Sequence, residues 1–349
     1  MNNGKPLLSV RGLTTEFTTP EGKIARALED VSFDVMPGQT IGLVGESGSG
    51  KTTTLMSLMR LLPAGGRVTA GDGGGPRNSP RPLPAGGRIT AGKVMFNDIN
   101  LLSLSEREMR DYRWKSMAIV FQGAMNALNP VMKVGDQIHE AIMLHNLMDE
   151  DAAEKRVKDL LEMVGIARTR RDQYPHQYSG GMRQRAMIAM ALACAPDLLF
   201  ADEPTTALDV MIQAQVLQLL KEIQKSLGLA IVLVTHDLGV VAEVCDSVVV
   251  MYGGKVAEYG TADHIYNEAQ HPYTQKLLEA FPDVSKPGDT LASIPGTPPR
   301  LTNLPPGCRF EPRCHLKIER CSQVNPPLLE VSPKHYVSCI LREGVDADL

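Results

Sequence analysis

The sequence predicts an α/β fold whose core is a buried parallel sheet with loops at the carboxyl ends of its strands. Three short apolar runs carry this prediction, at residues 41–44, 198–201 and 231–234. A glycine-rich segment follows the first run, two acidic residues follow the second, and a threonine and a histidine follow the third. Short continuous apolar runs of this kind are typical of strands that are buried on both faces.

The glycine-rich segment reads GESGSGKT from Gly45 to Thr52, and residues 53–61 after it are predicted to form a helix. A strand, a glycine-rich loop and a helix in this order direct backbone N–H groups at an anion. Lys51 is expected to reach the β- and γ-phosphates of a nucleotide, and the Thr52 hydroxyl to coordinate Mg²⁺. The residues expected to contact the nucleotide here are Gly45, Glu46, Ser47, Gly48, Ser49, Gly50, Lys51, Thr52 and Thr53.

The acidic pair at the end of the second run supplies the other half of such a site. Asp202 is the expected Mg²⁺ partner. Glu203 is expected on the opposite side of the pleat, where its carboxylate can polarise the attacking water. An apolar run that ends in Asp-Glu is more often an ordinary strand end, but the loop at Gly45 favours the catalytic interpretation.

The segment YSGGMRQR, which begins at Tyr178, resembles the signature sequence of the nucleotide-binding subunits of ATP-binding cassette (ABC) transporters, with Tyr and Met replacing the usual Leu and Gln. The resemblance extends over almost the whole chain. It implies a P-loop NTPase fold of the ABC nucleotide-binding type with an inserted helical subdomain. It also implies that Ser179, Gly180 and Gly181 open a helix that binds the γ-phosphate of ATP held by a partner subunit.

Four further positions take roles from the same resemblance. Gln122 matches the glutamine that contacts Mg²⁺ and water, and Asp209 matches an aspartate at the dimer seam. His236 matches the histidine that touches the γ-phosphate, and Phe17 the aromatic residue that stacks on adenine, although an aromatic residue in a strand is usually part of the core. The implied catalytic residues are Glu203, His236, Gln122 and Lys51, and the implied Mg²⁺ ligands are Thr52, Gln122 and Asp202.

Composition is consistent with a subunit that joins a membrane complex through protein contacts. The chain has 349 residues, 43% of them hydrophobic, and a net charge of −4. That charge gives no reason to expect nucleic acid or an anionic membrane surface as the main partner. No apolar run approaches the length that spans a bilayer, and the first residues lack the apolar segment of a signal peptide. We therefore expect a cytoplasmic protein, peripheral to the inner or plasma membrane.

Four of the six cysteines lie in the proline-rich tail, at Cys308, Cys314, Cys321 and Cys339, with the spacing C-x5-C-x6-C-x17-C. Disulfides are disfavoured in a reducing cytoplasm, and the spacing lacks the close cysteine pairs of structural zinc sites. Four thiolates also suit an iron–sulfur cluster. The segment GCRFEPRC further resembles the C-terminal region of oligopeptide and dipeptide permease ATPases, some of which carry a 4Fe-4S cluster. We favour that cluster over zinc or unligated thiols.

The tail and other segments also resemble the peptide-importer branch of the family. These segments are FQGAMNALNP, ALDVMIQAQ, HPYT and IPG. The resemblance implies a second, similar ATPase subunit, two membrane-spanning permease subunits and an extracytoplasmic substrate-binding protein. Dipeptides or oligopeptides are the expected cargo, with oligosaccharides or nickel complexes as the alternative. A soluble ABC-type ATPase in DNA repair or translation is disfavoured, because the chain has one P-loop and a short interval between its nucleotide motifs.

The domain organisation follows from these motifs. We predict a nucleotide-binding domain at residues 1–265, a helical subdomain at about 124–181, and a cysteine-bearing extension at 266–349. One departure from the family pattern lies at residues 62–92, where LPAGGRVTAG recurs as LPAGGRITAG after 21 residues. This pattern indicates a tandem duplication, and a duplicated surface loop needs no function because lengthening a loop costs little entropy. Contact of its arginines with a partner or with lipid headgroups is the alternative.

Overall fold

The computed structural model describes residues 4–63, 67–68, 86–123, 127–206, 208–280 and 294–343. In these residues the strands are β1 Leu8–Thr18, β2 Ile24–Val35, β3 Thr40–Val44, β4 Arg67–Val68, β5 Gly86–Phe96, β6 Ile99–Asn100, β7 Met117–Val120, β8 Leu198–Asp202, β9 Ala230–Val234, β10 Ser247–Tyr252, β11 Lys255–Thr261, β12 Leu329–Ser332 and β13 His335–Val337. The α-helices are α1 Lys51–Leu58, α2 Glu106–Tyr112, α3 Val134–Leu144, α4 Glu150–Met163, α5 Gly180–Ala191, α6 Val210–Leu227, α7 Leu238–Val244, α8 Ala262–Asn267 and α9 Pro272–Glu279.

The chain divides into two compact units. The first contains Met36–Thr40 and Leu104–Val234, and the second contains Asn3–Val35, Ile41–Ser103 and Thr235–Leu349.

In the first unit a parallel sheet carries the acidic pair. Strand β8 pairs with β7 on one side and with β9 on the other, both in parallel. All five residues of β8 and all five of β9 are buried, as expected for central strands covered on both faces. Gln122 and Glu203, two of the residues that the sequence assigns to catalysis, therefore follow the carboxyl ends of β7 and β8.

The helices of the first unit follow ordinary amphipathic patterns. In α4 the buried residues are Ala153, Val157, Leu160 and Leu161, which fall on one face at helical spacing. The Asp149 side chain caps α4 by accepting a hydrogen bond from the Ala152 N–H at 2.9 Å. Helix α3 ends at Leu144, and Asn146 just after it adopts a left-handed backbone with φ of 50°.

The second unit contains an antiparallel sheet and a mixed sheet. The antiparallel sheet has the order β2-β1-β5-β4, with β6 paired to β5. In the mixed sheet β3 runs parallel to β10, and β10, β11, β13 and β12 follow one another in antiparallel pairs. Strand β3 is buried along its full length and leads into the glycine-rich segment.

The duplicated segment pairs with itself where the structure describes it. Strand β4 from the first copy runs parallel to β5 from the second, with Arg67 opposite Arg88 and Val68 opposite Ile89. These are equivalent positions of the two copies, 21 residues apart. The other residues of the repeat segment, 64–66 and 69–85, lie outside the described residues.

A buried carboxylate ties the C-terminal part of the second unit together. Glu258 on β11 is fully buried, and its carboxylate accepts hydrogen bonds from the backbone N–H groups of Gln270 (2.7 Å) and His271 (3.0 Å). The His335 Nε2 atom lies 2.7 Å from the same carboxylate. Burial lowers the pKa of His271 to about 4, against the opposing effect of Glu258.

Candidate nucleotide-binding site

The glycine-rich loop after β3 has a backbone that only glycines adopt without strain. Gly45, Gly48 and Gly50 have φ values of 146°, 78° and 106°. A Cβ atom on Gly45 would lie 2.2 Å from the Met251 carbonyl oxygen, and one on Gly50 would lie 2.8 Å from the Leu28 side chain. A Cβ on Gly48 would meet nothing within 4 Å. The loop is therefore closely packed at its two ends and open in the middle.

Lys51 follows this loop as the first residue of α1. Its ammonium donates hydrogen bonds to the carbonyl oxygens of Gly45 (2.7 Å) and Glu46 (3.1 Å), and the residue is only 7% exposed. The Ser49 hydroxyl is buried and has no hydrogen-bond partner among the described residues. A buried hydroxyl and a buried ammonium in a loop of glycines are the donor set that a phosphate group needs, so the residues present fit a nucleotide.

The other predicted residues of the loop have the expected positions. Helix α1 begins at Lys51, two residues earlier than predicted, because Gly50 serves as its N-cap. Ser47 and Gly48 are exposed at the turn, and Thr52 is exposed in the first turn of α1. Exposed side chains at a helix N-terminus are accessible to an anion or to the metal ion that accompanies it.

A second group of predicted residues, the two carboxylates, lies in the first unit at the end of β8. Asp202 is 2% exposed. Glu203 has a left-handed backbone with φ of 46°, and its N–H donates to the Val234 carbonyl at 2.9 Å. The strand therefore ends before Glu203. The direction of the Glu203 side chain is set by this turn, whereas the sequence predicted that it follows the pleat of the strand. A left-handed glutamate is uncommon, and such strain occurs most often at functional sites.

The Glu203 carboxylate is held by two neighbours. Its Oε2 atom accepts hydrogen bonds from Gln122 Nε2 at 2.8 Å and from the Thr206 hydroxyl at 2.9 Å. Gln122 is thus in direct contact with a predicted catalytic residue that lies 81 residues further along the chain. Thr206 was not predicted from the sequence, and its place three residues after Glu203 is the signal that could have indicated it.

Ser179 and Asp209 both cap helices of the first unit. The Ser179 hydroxyl accepts from the Met182 N–H at 3.3 Å at the start of α5, and the Asp209 carboxylate accepts from the Ile212 N–H at 2.9 Å at the start of α6. A Cβ atom on Gly181 would lie 2.8 Å from the Ile212 side chain, so this glycine permits close packing of α5 on α6. The exposed Ser179 and half-buried Gly180 leave the N-terminus of α5 accessible.

Two further predicted residues lie in the second unit. His236 is exposed between β9 and α7. Phe17 is half-buried in β1 opposite Gly87, where a Cβ atom would lie 2.7 Å from the Phe17 ring. The ring therefore covers the backbone of the neighbouring strand. Adenine stacking by Phe17 stays a prediction.

The four tail cysteines are free thiols in a segment of short 3₁₀ turns. The Cys308 N–H donates to the Cys321 carbonyl at 2.8 Å, so backbone hydrogen bonds order this segment. Burial raises the pKa of Cys308 to about 11 and also raises the pKa values of Cys314 and Cys339. Raised pKa values favour the neutral form of these thiols when no metal ion is bound.

No helix among the described residues combines the length and the apolar character needed to cross a membrane.

Comparison with known proteins places the chain in a family. Residues 28–206 match the family described as ABC transporter, and residues 257–321 match the oligopeptide/dipeptide transporter C-terminal region. The dipeptide transport ATP-binding protein DppD of Bacillus subtilis is 46% identical over 97% of this chain and 95% of its own length. The oligopeptide transport ATP-binding protein OppD of Escherichia coli is 45% identical over 95% of this chain and 92% of its own length.

Solved structures show the same fold. The dimeric post-hydrolysis state of the ATP-binding cassette MJ0796, bound to ADP and Pi, superposes with a TM-score of 0.60 at 26% identity. It covers 73% of this chain and 99% of its own. The predicted P-loop fold of the ABC nucleotide-binding type is confirmed by this likeness.

The prediction of a 4Fe-4S cluster at Cys308, Cys314, Cys321 and Cys339 is wrong. The relatives are named for ATP binding and transport, and the cluster conflicts with the ordinary ABC ATPase family to which the matches point. Within the tail segment itself, the Cys308 N–H donates to the Cys321 carbonyl, so the backbone joins these two parts of the segment directly.

The ATPase assignment rests on agreement between geometry and relatives. The loop around Lys51 and the carboxylate held by Gln122 are the parts that an ATP-hydrolysing protein of this kind needs. The matched relatives align with this chain over almost their whole length. The chain belongs to the ABC transporter family, as an ATPase of its oligopeptide/dipeptide transporter branch.

Proposed function

We propose that this chain hydrolyses ATP to power the import of dipeptides or oligopeptides across a membrane. The observation that carries the proposal is the match of the C-terminal region to oligopeptide/dipeptide transporters, together with an ATPase site in which every expected position is filled. Relatives named for dipeptide and oligopeptide transport support the class of cargo. Oligosaccharides or nickel complexes are the alternative cargo for the same machinery.

We assign the chemistry of hydrolysis to side chains of this chain. Glu203 orients the attacking water and accepts its proton, and Gln122 and Thr206 hold that carboxylate in place. Lys51 and His236 stabilise the negative charge that develops as the terminal phosphoryl group leaves ADP. Thr52, Asp202 and Gln122 would hold Mg²⁺, which neutralises phosphate charge when it is bound. Phe17 would stack on the adenine base.

A second ATPase subunit is part of the proposal. We propose that Ser179, Gly180 and Gly181 of this chain contact the nucleotide held by that subunit, with Asp209 at the seam between them. The exposed Ser179 at the N-terminus of a 12-residue helix supports this role, since helix N-termini attract phosphate. The pair would bind two permease subunits on the cytoplasmic face of the membrane, and a substrate-binding protein would deliver the cargo from outside.

The domain limits are proposed in the same terms. Residues 1–265 would form the nucleotide-binding domain, with the helical subdomain at about 124–181 facing the permease. Residues 266–349 would form a C-terminal extension that distinguishes this branch. The match of residues 257–321 to a separate family description supports a distinct extension.

The catalytic assignment is tested with Glu203→Gln. The amide keeps the shape of the side chain but cannot accept a proton, so we expect ATP binding within about twofold of wild type and turnover reduced at least about 100-fold. Glu222→Gln is the matched control, because Glu222 is exposed on α6 and bonds only to Gln218 in its described contacts. Turnover near the wild-type rate in Glu203→Gln would contradict the assignment.

The cargo and partners are tested on the complex. A tagged chain is purified from gently solubilised native membranes, and its companions are identified by mass spectrometry. We expect two multispanning subunits, a second ATPase and a binding protein that takes up labelled dipeptides or oligopeptides. A binding protein that retains only nickel complexes or oligosaccharides would replace the peptide assignment, and recovery without membrane partners would remove the transport assignment.

A further inference from the structure

Glu46 of the phosphate-binding loop is held by a residue of the C-terminal tail. The Arg313 guanidinium donates two hydrogen bonds to the Glu46 carboxylate, at 2.7 Å to Oε2 and 3.0 Å to Oε1. This two-point geometry is the strongest arrangement available to an arginine and a carboxylate. The Arg313 side chain is 5% exposed and that of Glu46 is 26% exposed, so the pair is largely shielded from water.

Arg313 is fixed in this position by four further contacts. It donates to the carbonyl oxygens of Pro295 (2.8 Å) and Ile294 (3.1 Å) and to the Tyr252 hydroxyl (3.2 Å). Its guanidinium also lies 5.7 Å from the centre of the Tyr252 ring. With the two bonds to Glu46, all five N–H groups of the guanidinium have a partner. Such saturation leaves the side chain one orientation.

The backbone of Glu46 is part of the nucleotide site. Its N–H donates to the Tyr273 hydroxyl at 3.0 Å, and its carbonyl accepts from Lys51 Nζ at 3.1 Å and from the Ser49 N–H at 3.1 Å. Glu46 therefore connects the tail, through its side chain, with Lys51, through its carbonyl. A displacement of the Glu46 side chain moves a ligand of the lysine that we assign to the phosphates.

The tail segment itself is anchored beside the loop. Phe310 is 2% exposed, and its ring lies 5.2 Å from that of Tyr252 and 5.4 Å from that of Tyr273. Arg309 donates to the Glu29 carboxylate at 2.5 Å and to the Gly253 carbonyl. The residues that precede Arg313 are thus packed against the elements that border the loop.

Charge gives the pair a second consequence. Glu46 places a carboxylate in a loop whose ligand carries several negative charges, and an unpaired carboxylate there repels that ligand. The Arg313 guanidinium neutralises it. The pKa of Arg313 is raised above its ordinary value, mainly by Glu46, so the neutralising charge is present at every working pH.

We propose that Arg313 is a positioning residue for the nucleotide, which sets the affinity for ATP by orienting and neutralising Glu46 in the phosphate-binding loop. The C-terminal tail then contributes to nucleotide binding in addition to extending the nucleotide-binding domain. This inference rests on the proposed role of Lys51 and its loop in binding ATP.

The test is a cycle of single and double variants in the full-length chain, read out as the Kd of a fluorescent ATP analogue with Mg²⁺. We expect Arg313→Ala to raise that Kd about tenfold, equal to about 1.4 kcal/mol. Adding Glu46→Ala should return the Kd to within about threefold of wild type, because the unpaired carboxylate is gone. A purely structural role of Arg313 would lower the thermal unfolding temperature without this recovery of affinity.

Two further variants make the result decisive. Arg320→Ala is the control, since Arg320 is an exposed tail arginine that pairs with Glu343 at 2.7 Å, and its Kd should equal that of wild type. Arg313→Gln replaces Arg313→Ala if the latter does not fold, with the same expected rise. An unchanged Kd in a folded Arg313 variant overturns the inference. Equal binding by wild type and Lys51→Ala would instead overturn the proposed nucleotide site.

Discussion

Among glycine-to-alanine substitutions in the phosphate-binding loop, Gly45→Ala should cause the largest loss of stability. The new Cβ atom would lie 2.2 Å from the Met251 carbonyl oxygen and 2.9 Å from the Ser49 hydroxyl, so the backbone has to move. Such overpacking costs about 1–3 kcal/mol. The φ of 146° at Gly45 adds about 1–2 kcal/mol for a residue with a Cβ atom. We therefore expect a loss of about 2–5 kcal/mol in the free energy of unfolding.

Gly48→Ala separates the two contributions. Gly48 has a φ of 78°, but no atom lies within 4 Å of the place that an added methyl group would occupy, so only the backbone cost of about 1–2 kcal/mol applies. Both variants are measured by urea unfolding, and by the Kd of a fluorescent ATP analogue. We expect Gly45→Ala to raise that Kd at least about tenfold more than Gly48→Ala, a difference of about 1.4 kcal/mol. Equal losses of stability in the two variants would refute the steric reasoning.

Two other predictions concern the C-terminal part and the duplication. Burial lowers the pKa of His271 to about 4 from 6.5, so the folded protein keeps it neutral while the unfolded chain takes up a proton. The contribution of neutral His271 to stability is complete above pH 6.5 and is lost as the pH falls towards 4, by at most about 3 kcal/mol. In His271→Asn, the free energy of unfolding measured over this pH range should therefore fall less steeply than in wild type. An unchanged slope would exclude His271 as the cause of the fall. Deleting residues 64–84 leaves one copy of the repeat. We expect the ATPase rate and the unfolding temperature to match wild type, because the length of a surface loop has little effect on the free energy of unfolding. A marked fall in the rate or in the unfolding temperature would show that the extra copy has a function.

The sequence was sufficient to predict the phosphate-binding loop, because the conformation of the loop depends on residues that are adjacent in the chain. The spacing from Gly45 to Thr52 fixes a strand, a turn and a helix start, and the structure has all three. The helix boundaries were less exact. Helix α1 starts at Lys51 because Gly50 caps it, a feature that depends on a φ value and not on the apolar pattern.

Contacts between distant parts of the chain could not be predicted. Arg313 meets Glu46 across 267 residues, and no local pattern around either residue indicates its partner. The left-handed backbone of Glu203 could not be predicted either, because an apolar strand that ends in two acidic residues predicts continued pleating. The number of tail cysteines and their resemblance to those of related ATPases led to the iron–sulfur prediction, which the comparison with the ABC transporter family overturned.

The two repeat copies take different places in the antiparallel sheet, since β5 from the second copy pairs with β1 and β4 from the first copy pairs with β5. The copies differ at one position in ten, so their sequences alone do not decide which of them joins β1. The residues that follow decide it, since residues 93–96 after the second copy continue the ladder opposite residues 8–11, whereas Asp72 and then three glycines follow the first copy. The described residues of the first copy, Arg67 and Val68, therefore extend the sheet at its edge beside β5 and leave the pairing of β5 with β1 intact.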